Sequence, residues 1–582
     1  MEFFRKLFNF LNLSISISVI GTLVWWHGFQ YQPHHLHPHI LYLNLCFLFF
    51  ILQFLFRAKL SGDFKTYFQL NRIEYLLFML LLIEWLMSFL LDFSILKKIA
   101  ATTNIENHDH LYMLLLHAWL LLFVGIELGK ATTRNTLWKL SPPVLFILSF
   151  TVLTVIGSSL LMLPEMTVDE NGLDFSDALF TSISANCVTG LIVVDTATFF
   201  SLKGKILLLL MIQIGGLNII TFATYFISFF RRTISKHKHR FTVKELLHTD
   251  KLTETKELAK KVVITTLFIE FIGTVLLYQQ WGSSIKNGGE RLFYAVFHSV
   301  SAFNNAGFSL FTNGFANESV QNIYPIHITI AVLIVLGGIG FTTLQDIFNL
   351  DRIGKLLTWK KTPLPVQSKI AVYSSVLLIV LGAIFFFSIE KENILSNQSF
   401  LEKISTSIFQ SITARTAGFN TVDFGSLGLL SLSLIMVLMF IGASSGSTGG
   451  GIKTSTFTTL VIAVLKRKER PTNYGKSFLT KILVQKAVTI TVYSLIIITV
   501  GTVILLISDA DKKWSDLLFE EISAFGTVGL STGITRDLSL IGKSVIMVSM
   551  FIGRIGPLAL AYTLIKSTTF TDEKEEQGIM IG

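Results

Sequence analysis

Runs of about 18–25 apolar residues, separated by short polar stretches, recur along the whole chain of 582 residues. Each is long enough to cross a ~30 Å hydrocarbon core as a helix. Four fall near 11–29, 39–56, 75–92 and 111–129, and four more near 144–163, 262–278, 370–388 and 487–508. Each of the latter four leads through a short segment ending in glycine to a second apolar span. Those segments are near-copies of one motif: Ser-Ala-Asn-Cys-Val-Thr-Gly-Leu (184–191), Ser-Ala-Phe-Asn-Asn-Ala-Gly-Phe (301–308), Ile-Thr-Ala-Arg-Thr-Ala-Gly-Phe (412–419) and Ser-Ala-Phe-Gly-Thr-Val-Gly-Leu (523–530). Their glycines, Gly190, Gly307, Gly418 and Gly529, lie 117, 111 and 111 residues apart. The second spans match as well, through Gly215, Gly337, Gly442 and Gly553, each 24 to 30 residues after its loop glycine. Two anchors per unit identify a fourfold internal repeat.

The chain divides into an N-terminal block, about 1–140, and a core, about 141–582, that opens on the helix-entry signal Ser141-Pro142-Pro143. The core repeats run from about 143–230, 262–350, 369–467 and 484–567. The predicted fold class is therefore an all-α membrane protein. Four helix–pore-loop–helix repeats surround a central pore, and four N-terminal transmembrane helices precede them.

Composition narrows the class. With 51% hydrophobic and 15% charged residues the chain is not an ordinary soluble protein, and its 51 Phe and eight Trp suit lipid-facing and interfacial positions. The net charge of +10 does not predict a nucleic-acid partner, because most basic residues fall in loops between spans. Arg231, Arg232, Lys236, Lys238 and Arg240 follow the first repeat; Arg352, Lys355, Lys360 and Lys361 the second; Lys466, Arg467, Lys468 and Arg470 the third. Positive loops stay cytoplasmic. Both ends of every repeat then face inside, the glycine loops dip in from outside, and Glu165, Asp169, Glu170, Asp174 and Asp177 lie outside. Four crossings from an inside N-terminus deliver the chain inside at Ser141, so both termini are expected in the cytoplasm of a multi-pass plasma (cell inner) membrane protein. Lys97 and Lys98, on the outer side, run against the rule. Arg5 and Lys6 before an apolar run imitate a signal peptide, but without a convincing small-residue cleavage site the segment reads as a retained helix. Cys46 and Cys187 stand in distant segments and form no disulfide framework.

A monovalent cation crossing a membrane sheds water, and backbone carbonyls replace it in selectivity filters. Irregular backbone at that depth is tolerated where it lines such a path. The candidate coordinating residues are Val188, Thr189 and Gly190; Asn305, Ala306 and Gly307; Thr416, Ala417 and Gly418; and Thr527, Val528 and Gly529. The loops hold no ring of four carboxylates, which argues against a divalent-selective filter. Short pore helices before the glycines would aim their negative C-terminal ends at the ion.

On these motifs, together with Ser-Ser-Gly-Ser-Thr-Gly-Gly-Gly-Ile-Lys-Thr (444–454), the core resembles the Trk/Ktr/HKT superfamily of potassium transporters, most closely the KtrB membrane subunit, over about 141–582. The resemblance implies one key glycine per repeat and a complete filter in one chain. Members with serine at the first glycine position tend toward sodium, so Gly190 favours K+. It also implies a homodimer, a docked cytoplasmic ring of nucleotide-binding regulatory subunits, and a role near the dimer interface for the apolar tail 578–582. The four extra N-terminal helices depart from the family pattern.

The second span of repeat three is interrupted at 442–453 by a glycine-rich stretch that no continuous helix would choose. Alone it predicts a flexible intramembrane segment beside a wet cavity; the resemblance implies a gating loop beneath the filter. Gly442, Ser445, Gly446, Gly449, Gly450, Gly451 and Lys453 belong to it, and Arg554 in the last span is the cation beside it. A nucleotide-binding loop is excluded because Gly451-Ile452-Lys453-Thr454 breaks the Gly-Lys adjacency. Glu84, Glu127 and Glu270 fall within apolar runs and are expected to be packed or paired between helices. The histidines at 34, 35, 37 and 39 suggest an outer loop before a metal site, and Asp250 to Lys261 suggests a solvated helix.

The functional expectation is a potassium uptake subunit that is not an enzyme, carries no covalent cofactor and moves K+ down its electrochemical gradient. A sodium or mixed-cation transporter of the same fold is the alternative. An alternating-access secondary transporter would more commonly show inverted repeats.

Overall fold

The computed structural model describes residues 2–29, 36–60, 142–217, 252–282, 284–348, 364–465 and 481–556, with single positions at 79, 117, 120 and 124. The spans near 75–92 and 111–129, apart from those single positions, lie outside the described residues. So do Glu84, Glu127, Lys97, Lys98, the basic linkers and everything after residue 556. The chain forms two compact units, Met1–Lys139 and Leu140–Gly582.

In the first unit, α1 (Glu2–Gly28) and α2 (Leu36–Leu60) pack through Val19, Leu23, Leu43, Phe47 and Phe50, joined by Leu120 and Val124. The expected outer histidine loop is here partly helix. Helix α2 starts at Leu36, and Pro38 sits in its first turn, where a missing N–H costs nothing. His39 Nε2 lies 3.1 Å from His117 Nε2, and His27 Nε2 lies 2.9 Å from His117 Nδ1. Among the described residues no group of three or more potential ligands is arranged to hold a metal ion.

The second unit is helical throughout, with no named strand among the described residues. Repeat one comprises α3 (Pro142–Leu161), α4 (Phe175–Asn186) and α5 (Leu202–Leu217). Repeat two comprises α6 (Leu252–Trp281), α7 (Gly288–Phe303), α8 (Tyr324–Gly338) and α9 (Phe341–Ile347). Repeat three comprises α10 (Val366–Glu390), α11 (Phe400–Thr413), α12 (Leu429–Phe440) and α13 (Thr454–Leu465). Repeat four comprises α14 (Lys481–Ser508), α15 (Trp514–Gly526) and α16 (Leu540–Ile555). The parts of α6, α10 and α14 over Lys260–Trp281, Val366–Glu390 and Leu483–Ser508 are long and apolar enough to cross a bilayer. The mixed-charge stretch ending at Lys261 is no separate helix: from Leu252 it is the first part of α6.

Side-chain caps start two of the four short helices, α7 and α11, and the other two, α4 and α15, begin without one. The Asn287 side chain accepts from Gly289 N and Glu290 N at the head of α7, and Glu402 reaches back to Ser399 N at 2.7 Å at the head of α11. Within each repeat the short helix packs against the first long helix, and in repeats one, two and four against the second as well. The second long helix of each repeat then meets the short helix of the next: α5 meets α7, α8 meets α11, α12 meets α15, and α16 meets α4. The last pair closes the circle.

Glycines make that packing close. A Cβ on Gly215, Gly337 or Gly553 would lie 2.1, 1.8 or 1.9 Å from the carbonyl oxygen of Asn186, Phe303 or Phe525. Each of these carbonyls belongs to the last turn of a short helix, so the second helix of the repeat passes directly beneath it. Overpacking of this kind costs about 1–3 kcal/mol. Gly337→Ala is expected to lower the thermal melting point of the detergent-solubilised protein by several degrees. Gly428→Ala, where nothing lies within 4 Å, should leave it unchanged.

Two second spans are broken. In repeat three, α12 stops at Phe440 and α13 begins at Thr454, which the glycine-rich stretch predicts. In repeat two, α8 and α9 meet at 106° across Gly340, which has φ +95. A Cβ there would lie 2.6 Å from Ser445 O, so this kink makes room for the glycine-rich stretch of repeat three.

Candidate functional site

The four loop glycines form a ring. A Cβ on Gly190 would lie 2.4 Å from Ala306 O, on Gly307 2.9 Å from Ala417 O, on Gly418 2.4 Å from Val528 O, and on Gly529 2.1 Å from Thr189 O. Each loop therefore presses its glycine on the carbonyl just before the glycine of the next repeat, and the fourth returns to the first. All four glycines have positive φ, between +70 and +94. So does the residue two places before each: Val188, Asn305, Thr416 and Thr527. Left-handed residues at i and i+2, with an ordinary residue between, turn successive carbonyls toward one side, which an extended strand cannot do. Val188, Thr189, Asn305, Ala306, Thr416, Ala417, Thr527 and Val528 are fully buried. Gly307 and Gly529, opposite each other in the ring, are partly exposed, so the ring faces an opening.

A hydroxyl fastens each loop to its helix. Ser184 Oγ donates to Leu191 O at 2.7 Å and accepts from Gly190 N at 3.1 Å. Ser301 donates to Phe308 O at 2.8 Å, Thr413 to Phe419 O at 2.6 Å, and Ser523 accepts from Gly529 N at 3.1 Å. These hydroxyls stand six residues before the glycine in repeats one, two and four but five before it in repeat three. The third loop is one residue shorter, so Thr413 replaces Ile412 at the fastening position.

The 441–453 stretch lies against the inner limb of the ring. A Cβ on Gly449 would lie 2.1 Å from Thr416 Oγ1, and one on Gly450 2.4 Å from Thr527 Oγ1. Thr416 and Thr527 are the left-handed residues of loops three and four. Gly450 N donates to Thr527 Oγ1 at 3.0 Å, Ser444 N to Gly338 O at 2.9 Å, and Phe341 N to Gly446 O at 2.9 Å. Within the stretch, Gly442 N bonds Ile452 O at 2.9 Å, and the Ser445 hydroxyl lies 2.7 Å from that of Ser455 in α13. Gly451 adopts φ +66 beside Gly526. Three cations surround the stretch. Lys453 Nζ donates to Gly449 O. Buried Arg554 donates to Thr448 O, and to Gly215 O at 2.8 Å. Arg415, also buried, reaches Ser375 Oγ at 3.2 Å and Gly442 O at 3.5 Å. Every acceptor described for these three is a neutral carbonyl or hydroxyl, so the positive charge under the ring stays uncompensated among the described residues.

The family model described as "Cation transport protein" (TrkH) matches residues 123–571. This chain is a member of the TrkH cation transport family. It is 37% identical over 449 residues to the "Ktr system potassium uptake protein B" of Vibrio alginolyticus, covering 76% of this chain and 95% of that protein. It is 33% identical over 454 residues to the "Potassium/sodium uptake protein NtpJ" of Enterococcus hirae, covering 76% and 98%. The crystal structure of the potassium transporter TrkH from Vibrio parahaemolyticus superposes with a TM-score of 0.59 at 20% identity, over 77% of this chain and 90% of that one, and shares its fold.

For this TrkH-family chain, all twelve residues singled out in the loops lie in or beside the ring. Gly442, Gly449, Gly450, Gly451, Lys453 and Arg554 lie in or against the stretch below it. Ser445 and Gly446 sit at its far side, toward Gly340. Glu270, expected to be packed or paired, accepts from Asn304 Nδ2 at 3.0 Å and Gln213 Nε2 at 3.2 Å, tying repeats one and two together behind the ring. Cys46 and Cys187 are buried free thiols. Sequence reasoning missed the fastening hydroxyls and Arg415. The recurrent Ser or Thr at the head of each motif was the available signal for the first.

Proposed function

We propose that this chain is a potassium uptake membrane subunit that conducts K+ through a filter of main-chain carbonyls from its four glycine loops. The observation that carries the reading is the ring of Gly190, Gly307, Gly418 and Gly529, in which each loop meets the next through the same atoms. The names of the relatives support K+ as the ion, and the name of the Enterococcus relative makes Na+ a second candidate cation. The cyclic arrangement, in which every repeat hands on to its neighbour through the same pair of elements, favours a pore over an alternating-access carrier with inverted repeats. The 442–453 stretch acts as a gate below the filter, with Lys453 and Arg554 as the cations that oppose ion exit. The membrane potential drives uptake with about 2.3 kcal/mol per charge per 100 mV.

Residues 141–582 form the conducting core and residues 1–140 a separate four-helix block. Both termini are cytoplasmic and the protein resides in the cell inner membrane. Two copies pair as a homodimer, and a cytoplasmic ring of nucleotide-binding subunits regulates it; both rest on the resemblance and on relatives named as parts of a Ktr system. Flux into proteoliposomes tests the ion assignment. K+ and Rb+ are expected to enter at comparable rates under an inside-negative potential and Na+ several-fold more slowly. Equal entry of Na+ and K+ would replace this reading with the mixed-cation one.

A further inference from the structure

Behind the glycine ring a second set of polar side chains occupies one equivalent position per repeat. It lies nine residues before the glycine in repeats one, two and four (Thr181, His298, Glu520) and eight before it in the shortened repeat three (Gln410). All four side chains are buried in the short helices. Three of them reach the limb of chain that leaves the glycine. Glu520 Oε1 accepts from Ser531 Oγ at 2.5 Å and Thr532 N at 3.1 Å, and its Oε2 accepts from Thr535 Oγ1 at 2.8 Å. His298 Nδ1 sits 2.8 Å from Tyr294 O, so that nitrogen carries the proton. Its Nε2 accepts from Leu310 N at 3.3 Å and lies 3.1 Å from Ser309 Oγ. Gln410 Nε2 donates to Thr421 Oγ1 at 2.7 Å. The contacted residues stand two to six places beyond the glycine, and the third place is held in all three repeats. Thr181 is too short for this reach.

The neighbouring helix position points the other way. Ser182, Ser299 and Ser411 donate to carbonyls of the first long helix, Thr154 O at 2.8 Å, Glu270 O at 2.7 Å and Ile379 O at 2.9 Å. One position thus secures the short helix to the scaffold, and the next secures the outgoing limb to the short helix.

We infer that His298, Gln410 and Glu520 are positioning residues that brace the outgoing limbs of three glycine loops and thereby set how sharply the ring discriminates among monovalent cations, with Glu520 the principal brace. This rests on the filter reading above. Discrimination by carbonyls depends on how far they can close on a smaller ion, and a limb held from behind closes less. Glu520, which takes part in three hydrogen bonds to its limb, holds hardest, since each bond adds to the hold and His298 and Gln410 make fewer. Repeats two and four are opposite in the ring, so the His298 and Glu520 braces oppose each other across it. The Thr181 limb is the loosest.

The test removes the bonds from the limb side, where the helix core is untouched. S531A/T535V and T421V, measured in proteoliposomes, are expected to raise the Na+/K+ flux ratio about fivefold and twofold, and Glu520→Asp should shift it less than Glu520→Leu. S411A is the stability control: its melting point should fall while its flux ratio stays at the wild-type value. If both limb-side variants keep the wild-type ratio while Gly190→Ser changes it, the braces have no such role and the filter stands. If Gly190→Ser leaves the ratio unchanged too, the filter reading falls with them. If S411A shifts the ratio as far as S531A/T535V at equal loss of stability, the effect is general loosening and the inference is rejected.

Discussion

Gly190→Ser should remove most of the preference for K+ over Na+, raising the Na+/K+ flux ratio by roughly 5- to 30-fold for a loss of about 1–2 kcal/mol, the cost of a left-handed conformation in a residue with a Cβ. Gly190 has φ +94, and a Cβ there would lie 2.4 Å from Ala306 O and 3.1 Å from Gly307 Cα. The loop has two ways to accept serine. It relaxes toward negative φ, which turns a carbonyl out of the ring, or it backs away from Ala306, which opens the ring between repeats one and two. Both loosen the fit around a dehydrated ion, and both harm K+ coordination more than that of an ion retaining some water. Gly556 separates collision from conformation: it has φ +90, with nothing within 4 Å of its missing Cβ. Gly556→Ala carries the conformational cost outside the ring and its limbs and should change the flux ratio less than twofold. Parallel K+, Rb+ and Na+ uptake assays on the two variants decide the matter. An unchanged ratio in Gly190→Ser removes the filter assignment.

The repeat and its glycines were legible because they answer to backbone geometry. A left-handed residue at a crowded contact leaves almost no choice but glycine, so the same letter recurs at nearly constant spacing in a chain that otherwise varies. The break at 442–453 was legible for the same reason. The kink at Gly340 was not, although Gly337-Gly338-Ile339-Gly340 also concentrates glycine. It exists to admit Ser445 of another repeat, and no local pattern announces a partner 105 residues away. The one-residue contraction of the third loop was hidden too, because the motifs align on their glycines and the contraction lies just upstream, where Thr413 takes over from Ile412. His39 misled in the opposite sense. A histidine-rich string beside proline suggests a loop, yet Pro38 starts a helix as readily as it ends one, and the imidazole finds His117. The polar side chains behind the ring, Thr181, His298, Gln410 and Glu520, share no residue type. Only their common position, once the loops are superposed, makes them a set.

Removing the proposed gate under the ring should have the second large effect. Deletion of residues 444–450 is expected to raise K+ flux per protein at least tenfold. The stretch fills the space directly beneath loops three and four: Gly449 and Gly450 are in contact with Thr416 and Thr527, with no room even for a methyl group. On the proposed conduction path, an ion leaving the ring inward meets this backbone first. It next meets Lys453, Arg415 and Arg554, whose described acceptors are all uncharged. At an effective dielectric of about 20, a unit positive charge some 4–8 Å from a K+ ion costs about 2–4 kcal/mol, roughly 30- to 1000-fold in occupancy. Steric and electrostatic closure are separable. Arg554→Gln deletes the charge and keeps a polar amide on a shorter side chain, so its gain in flux reports chiefly the electrostatic part. The deletion reports both parts, because it also removes the backbone that Arg554 holds in place. The two changes should therefore be less than additive when combined. Rb+ uptake into proteoliposomes, normalised to reconstituted protein and compared across wild type, each variant and the double variant, reads this directly. Wild-type flux in the deletion would deny the stretch any part in gating, and full additivity would show that Arg554 acts on the ion without acting through the stretch.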